Sequence, residues 1–220
     1  MNISIMLEYI LGLPKTLYFN LKYFDIKTAI RLPVLISKNV KFKKLSGKII
    51  LNSKVKKTGL IKIGFKSAGI FDEKYSKSIL ELYGNIIFDG NAFMGQGSKL
   101  CVKGDLVIGK NFFSTAETTI ICYEAIDIGE NCLISWDTQI MDTDFHKVMQ
   151  NNNIVNFNRK IIICEHVWIG CRVTILKGSY IAANNVVASN SVVCNQIYNE
   201  NNVLAGNPCK VVKANVEWKN

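Results

Sequence analysis

Histidine, proline and paired cysteine are scarce in this sequence, and each scarcity excludes something. Three prolines and fifteen glycines among 220 residues leave no room for a collagen-like or low-complexity chain. No apolar run approaches the roughly 18 residues of a membrane span; Glu8, Lys15 and Lys22 break the patches near the start. That start also lacks the charged, apolar and small-residue order of a signal peptide, so a cytoplasmic protein is expected. The seven cysteines are odd in number and form no CxxC pair, which reads as reduced thiols in core or corner positions. Cys164, His166 and Cys171 come nearest to a metal cluster, but structural zinc takes four ligands at paired spacings, and no metal is expected. With 49% apolar and 20% charged residues, the chain can build a packed core.

Acid is scarce where base is rich. Residues 1–71 carry fourteen Lys/Arg against two acids, Glu8 and Asp25, a net +12; the other 149 carry thirteen against fifteen, a net −2. Lys41, Lys43, Lys54, Lys56 and Lys62 alternate with Phe42, Val55, Ile61 and Ile63, as on the wet face of strands. The alternative is an anionic partner, for instance a membrane surface. Nucleic acid is not expected, because no recognition helix or aromatic RNA-binding motif accompanies the charge.

The strongest pattern is a repeat. Ile163, Ile169, Ile175, Ile181, Val187 and Val193 recur every six residues without a gap. Four places after each stand Val167, Val173, Ser179, Asn185, Ser191 and Ile197, mostly small or β-branched. The same step runs upstream through Phe88, Met94, Leu100 and Leu106, then Ile108, Ser114, Ile120 and Ile126, then Ile128, Ile134 and Ile140. Doublets at 86, 106 and 126 fall twenty apart. A six-residue step cannot be an amphipathic helix, whose stripe recurs at three and four. It fits an all-β solenoid of very short parallel strands, each hexad giving one side of a prism and about eighteen residues closing a coil. Six or seven coils are expected. Gly95, Gly109, Gly129, Gly170 and Gly178, with Asn131, Asn184 and Asn190, suit the tight corners.

Two segments break the period: 69–78 and the long polar stretch 142–160. A loop of that length in a strict repeat is usually functional. The organisation read from the chain is a capping segment over 1–44, a β-helix over 45–200 and a tail over 201–220. Leu7, Ile10, Leu11 and Leu17 form a candidate helix face in the first segment, punctuated by Pro14 and Pro33. The segment either covers the open edge of the first coil or, with its lysines, touches an anionic membrane.

The chemistry rests on few residues. His146 lies in the long loop, as Asp142-Thr143-Asp144-Phe145-His146, and a histidine is the natural base for a hydroxyl at neutral pH. Asp144 or Asp142 could orient its imidazole. His166 falls on an outward position with no partner motif, which reads as packing. Trp168 is outward as well, and an exposed Trp on a flat face calls for a cover.

These hexads, with Val167-Trp168-Ile169-Gly170 and the exit Val203-Leu204-Ala205-Gly206-Asn207-Pro208, resemble the left-handed β-helix of hexapeptide-repeat acyltransferases over roughly residues 45–213. The branch most resembled is that of surface-polysaccharide and galactoside-type O-acetyltransferases. The resemblance implies an acetyl-CoA-dependent transfer to a sugar hydroxyl and a homotrimer with clefts between subunits. In related enzymes a loop histidine upstream of a Val-Trp-Ile-Gly run is the base, and His146 stands twenty-two residues before Trp168. Trp168 and Asp142 would then meet the saccharide. Gly170, Cys171, Ser189, Asn195, Lys210 and Lys213 fall on positions of cofactor contact, with backbone amides near Gly170-Cys171 holding the oxyanion. Many relatives have Thr-Lys where this chain has Cys194-Asn195, which puts one phosphate contact in doubt.

Rival classes lack their own signals. A non-catalytic scaffold has no use for Asp-x-Asp-Phe-His on a long loop. A β-helix carbonic anhydrase needs three histidine ligands across an interface, which two from one chain and one from another could supply in principle. Serine acetyltransferases bring a long helical N-terminal domain, which 44 residues cannot supply. Amino-sugar N-acetylation, or a non-catalytic or metal-binding β-helix, stays the alternative to O-acetylation.

Overall fold

The computed structural model describes residues 3–72 and 75–219. The chain passes through three parallel sheets in rotation, seven times over. Face 1 begins with Val34–Ile36, face 2 with Val40–Leu45 and face 3 with Lys48–Leu51; the seventh coil ends with Val186–Val187, Val192–Val193 and Gln196–Ile197. Within each face, every strand pairs in parallel with the strand one coil earlier, as Trp168 with Leu133 and Val186 with Trp168.

The hexad residues line the interior. Ile163, Ile169, Ile175, Ile181, Val187 and Val193 are all buried, and the apolar members of the upstream series from Phe88 to Ile140 stack in the same core, with Ser114 buried among them. Each such apolar side chain stabilises the fold by about 1.5–3 kcal/mol relative to exposure. The eighteen-residue coil holds only near the end, where Trp168 pairs with Val186. Upstream, Phe112 pairs with Ala92 and Ile126 with Leu106, a coil of twenty. The strands there are four or five residues long rather than two or three, which accounts for the doublets.

Corner chemistry divides by residue. Asn131, Asn184 and Asn190 take φ of 58°, 59° and 60°, the left-handed geometry their short amides tolerate. Gly178 shares it, but Gly170 serves differently: a Cβ there would sit 2.8 Å from both Val187 O and Ser189 N of the next coil.

The coils start at Val34, inside the segment expected to precede them. Lys54, Val55 and Lys56 lie between strands rather than on one. Helix α1 (Ile3–Tyr23), which runs through Pro14, comes first, followed by the short α2 (Ile26–Ala29), ahead of the all-β coils. α1 covers the free edge of Val34–Ile36, with side chains standing in for a missing strand. Asn20 Nδ2 donates to Val34 O at 2.7 Å and Asn20 Oδ1 accepts from Val34 N at 3.2 Å. Thr16 Oγ1 accepts from Ile36 N at 2.9 Å, and Gly12 lets the helix approach Ile36 O. The expected apolar face is not the covering face: Leu7, Ile10, Leu11 and Leu17 are exposed. At the other end, Lys210–Lys213 pairs antiparallel to Val203–Ala205. No helix among the described residues is long and apolar enough to cross a membrane.

Candidate functional site

The long loop leaves the fifth coil at the corner between faces 2 and 3, after Gln139–Met141 and before Ile161–Ile163. Asp142 is its root. Its carboxylate accepts from the N–H groups of Tyr123 at 2.7 Å, Glu124 at 2.8 Å and Ala125 at 2.9 Å. The residue is fully buried, so it fastens the loop to the preceding coil and does not meet an acceptor, which corrects the expectation for it. Beyond it, Phe145 takes φ of 61°, turning the chain so that His146 N donates to Asp144 O at 2.7 Å. Met149–Gln150 and Asn153–Ile154 form a hairpin around Asn151 and Asn152, both at positive φ, as a two-residue turn of this hand requires.

Asp144 does not orient the imidazole from its own side chain. Its carboxylate pairs with Lys177 Nζ and accepts from Asn156 Nδ2 at 2.8 Å. These two partners, Lys177 above all, hold the carboxyl below its ordinary value of 3.8. Asn156 Nδ2 also donates to His146 O at 2.8 Å, and Asn156 Oδ1 accepts from Val148 N at 2.6 Å. Asp144 thus fixes the backbone that carries His146, through Asn156. The His146 side chain is exposed.

Asn156 and Lys177 carry no motif, and only the folded loop reveals them. Tyr83, Lys103 and Tyr123 were also missed, although their twenty-residue spacing marks them as one outward column. Lys103 Nζ lies 4.0 Å from the centre of the Tyr123 ring, and Phe145 meets that ring edge-on at 5.4 Å. This aromatic and cationic column stands beside the residue preceding His146.

The other predicted residues lie elsewhere. Trp168 is on face 1, 37% exposed, its Nε1 donating to Ser135 Oγ at 3.2 Å. Trp218 returns from the tail to 6.0 Å from it and supplies part of the cover. His166 stacks on Trp218 at 4.3 Å and bonds Asn184 Oδ1 at 2.9 Å, the packing role expected. Gly170, Cys171 and Ser189 meet at the corner between faces 1 and 2, with Cys171 Sγ 3.3 Å from Ser189 Oγ. Gly170 N–H is spent on Val187 O at 2.8 Å, so of the two expected oxyanion donors only the Cys171 amide is uncommitted among the described backbone bonds. Lys210 and Lys213 are exposed on the terminal strand. Asn195 is apart from this group, at the corner of faces 2 and 3, donating to Cys209 O at 3.2 Å. Cys164 and Cys171 sit at different corners, Cys164 against Tyr180 Oη at 3.2 Å. In a three-sided coil the corner of faces 2 and 3 lies opposite face 1, so one chain does not bring His146 to Trp168.

The chain is 31% identical over 207 residues to an uncharacterized 24.8 kDa protein in the cps region of Klebsiella pneumoniae, covering 93% of this chain and 86% of that one. It is 30% identical over 144 residues to the galactoside O-acetyltransferase of Escherichia coli K12, covering 64% of this chain and 68% of that enzyme. The chain belongs to the hexapeptide-repeat acyltransferases. It is an acyltransferase of this family. Among solved structures, the polysialic acid O-acetyltransferase OatWY shares the fold of this acyltransferase, with a TM-score of 0.57 at 24% identity over 82% of this chain and 91% of that one. No family model matches the chain.

Proposed function

We propose that this acyltransferase moves an acetyl group from acetyl-CoA to a sugar hydroxyl of a surface polysaccharide or its precursor, with His146 as general base. The observation that carries the proposal is the placement of His146: an exposed side chain on a backbone pinned by Asn156, Asp144 and Lys177. The names of the relatives, a galactoside O-acetyltransferase and a polysialic acid O-acetyltransferase, supply the substrate class.

His146 takes the proton of the acceptor hydroxyl as its oxygen bonds to the thioester carbonyl carbon. The carbon–sulfur bond then breaks, and the imidazolium returns the proton to the leaving thiolate. In this reading the Cys171 amide steadies the oxyanion. Gly170, Cys171 and Ser189 offer the narrow arm of acetyl-CoA a groove of small side chains, while Lys210 and Lys213 offer cations to its phosphates. The donor groove and Trp168 lie away from the His146 corner, so the reading requires a second copy to complete each site, as in a trimer of left-handed coils with clefts between subunits. Of residues 1–44, the part before the first coil at Val34, chiefly α1, serves as the capping segment, and the enzyme acts in the cytoplasm. No metal takes part in this reading.

Incubation of the purified protein with acetyl-CoA and surface-glycan fragments, read by mass spectrometry, tests it. The expected result is the mass gain of one acetyl group, released by mild base as an ester is. Acetylation of amino sugars alone, stable to base, would replace the O-acetyl reading.

A further inference from the structure

The two sides of α1 do different work. Gly12, Thr16 and Asn20 face the strand edge, and Phe19 enters the core. The opposite side carries Met6, Leu7, Ile10, Leu13, Leu17 and Leu21, each 42–60% exposed. At 100° per residue the arc from Leu13 round to Leu11 spans about 160° and contains no charged side chain. A solvated helix does not keep so wide an apolar face without an occupant. α2 adds Ile26 and Ile30, 76% and 70% exposed.

The position of this face limits what can cover it. α1 bonds the backbone groups of Val34 and Ile36 that point away from the second coil. Its outward side therefore looks off the end of the coil stack, beyond the three lateral faces. A copy packed beside the coils, as a shared catalytic site requires, leaves that end open.

The rim is basic. Lys22, Lys27, Arg31, Lys38, Lys43 and Lys44 are exposed around the helix and the first coil. Tyr18, Lys22, Phe42, Lys43 and Lys44 line a cleft of about 460 Å³. Three ammonium groups beside two aromatic rings suit a lipid phosphate headgroup at the edge of an apolar strip. We propose that α1 lies in the plane of an anionic lipid bilayer, with its outward side sunk to about 5–10 Å and the lysine rim on the headgroups. The open end rests on the shared-site reading, but vesicle binding needs no turnover, so the two readings can fail separately.

The test is co-sedimentation of the full chain with vesicles of phosphatidylglycerol and phosphatidylcholine, against phosphatidylcholine alone. Wild type should bind the anionic vesicles at low salt and lose most of that binding at high salt. Ile10→Glu with Leu17→Glu should abolish binding while thermal melting stays near wild type, since both side chains are exposed. Lys43→Glu with Lys44→Glu should weaken binding by at least twentyfold, at roughly fivefold for each lysine removed. No binding by wild type at low salt would overturn the proposal, as would undiminished binding by the Ile10/Leu17 variant. If that variant instead only dissociates an oligomer and wild type ignores vesicles, the face belongs between copies of the chain, and the proposal fails.

Discussion

A single amide group, Asn156 Nδ2, donates to both the Asp144 carboxylate and the His146 carbonyl, at 2.8 Å each. The proposed base, His146, is therefore held through its backbone by a residue ten positions downstream. Asn156→Ala should lower kcat by about tenfold to a hundredfold, the cost of misplacing a catalytic group. The KM for acetyl-CoA and the melting temperature should hardly move. Steady-state kinetics and calorimetry together distinguish this from general destabilisation; a variant with normal kcat would remove Asn156 from the account.

Asp142 and Asp144 should separate cleanly. Asp142→Ala strips three corner N–H groups of their acceptor in a buried place, at about 1–3 kcal/mol each if left unpaired. A lowered melting temperature is expected. Asp144→Ala removes a half-exposed carboxylate and leaves Lys177 its bond to Asn156 O, so it should lower the melting temperature less than Asp142→Ala yet lose turnover. Equal melting of the two variants would contradict the burial assigned to Asp142.

The pH dependence follows from Asp144. Its folded pKa lies below the ordinary 3.8, so its contribution to loop order is complete above that value and fades only as pH falls through the lower folded one. Between pH 5 and 7 the loop should therefore stay intact, and the Asn156 side-chain amide resonance should hold its position in NMR spectra. A shift of that resonance within this range would mean that the carboxylate network titrates there.

Much of this architecture can be read from the chain because a six-residue step forces the same side of every strand inward, from Phe88 to Val193. The twenty-residue doublets carried the true length of the early coils, and the same spacing held the Tyr83–Lys103–Tyr123 column in plain sight. The helix face could not be oriented, because its covering side is polar: Thr16 and Asn20 substitute for strand hydrogen bonds, which hydropathy does not register. Within the loop, sequence singles out His146 but cannot tell which carboxylate is spent. Asp142 and Asp144 are two residues apart, and only the fold sends one inward and leaves the other outside.

The opposition of His146 and Trp168 predicts complementation. His146→Ala and Trp168→Ala should each be nearly inactive alone. Co-expressed and co-purified, they should regain activity, because some sites then combine an intact His146 with an intact Trp168 from another copy. No recovery in verified mixed oligomers would mean that each site uses both residues of one chain.

The most direct test of the central claim is the turnover of His146→Ala with acetyl-CoA and an accepted glycan, measured beside His166→Ala. The account predicts a loss of about two to four orders of magnitude for His146→Ala, the usual contribution of a positioned base, with acetyl-CoA binding near wild type. His166→Ala should keep most of its activity. Survival of activity without His146, or a larger loss from His166, would contradict the assignment.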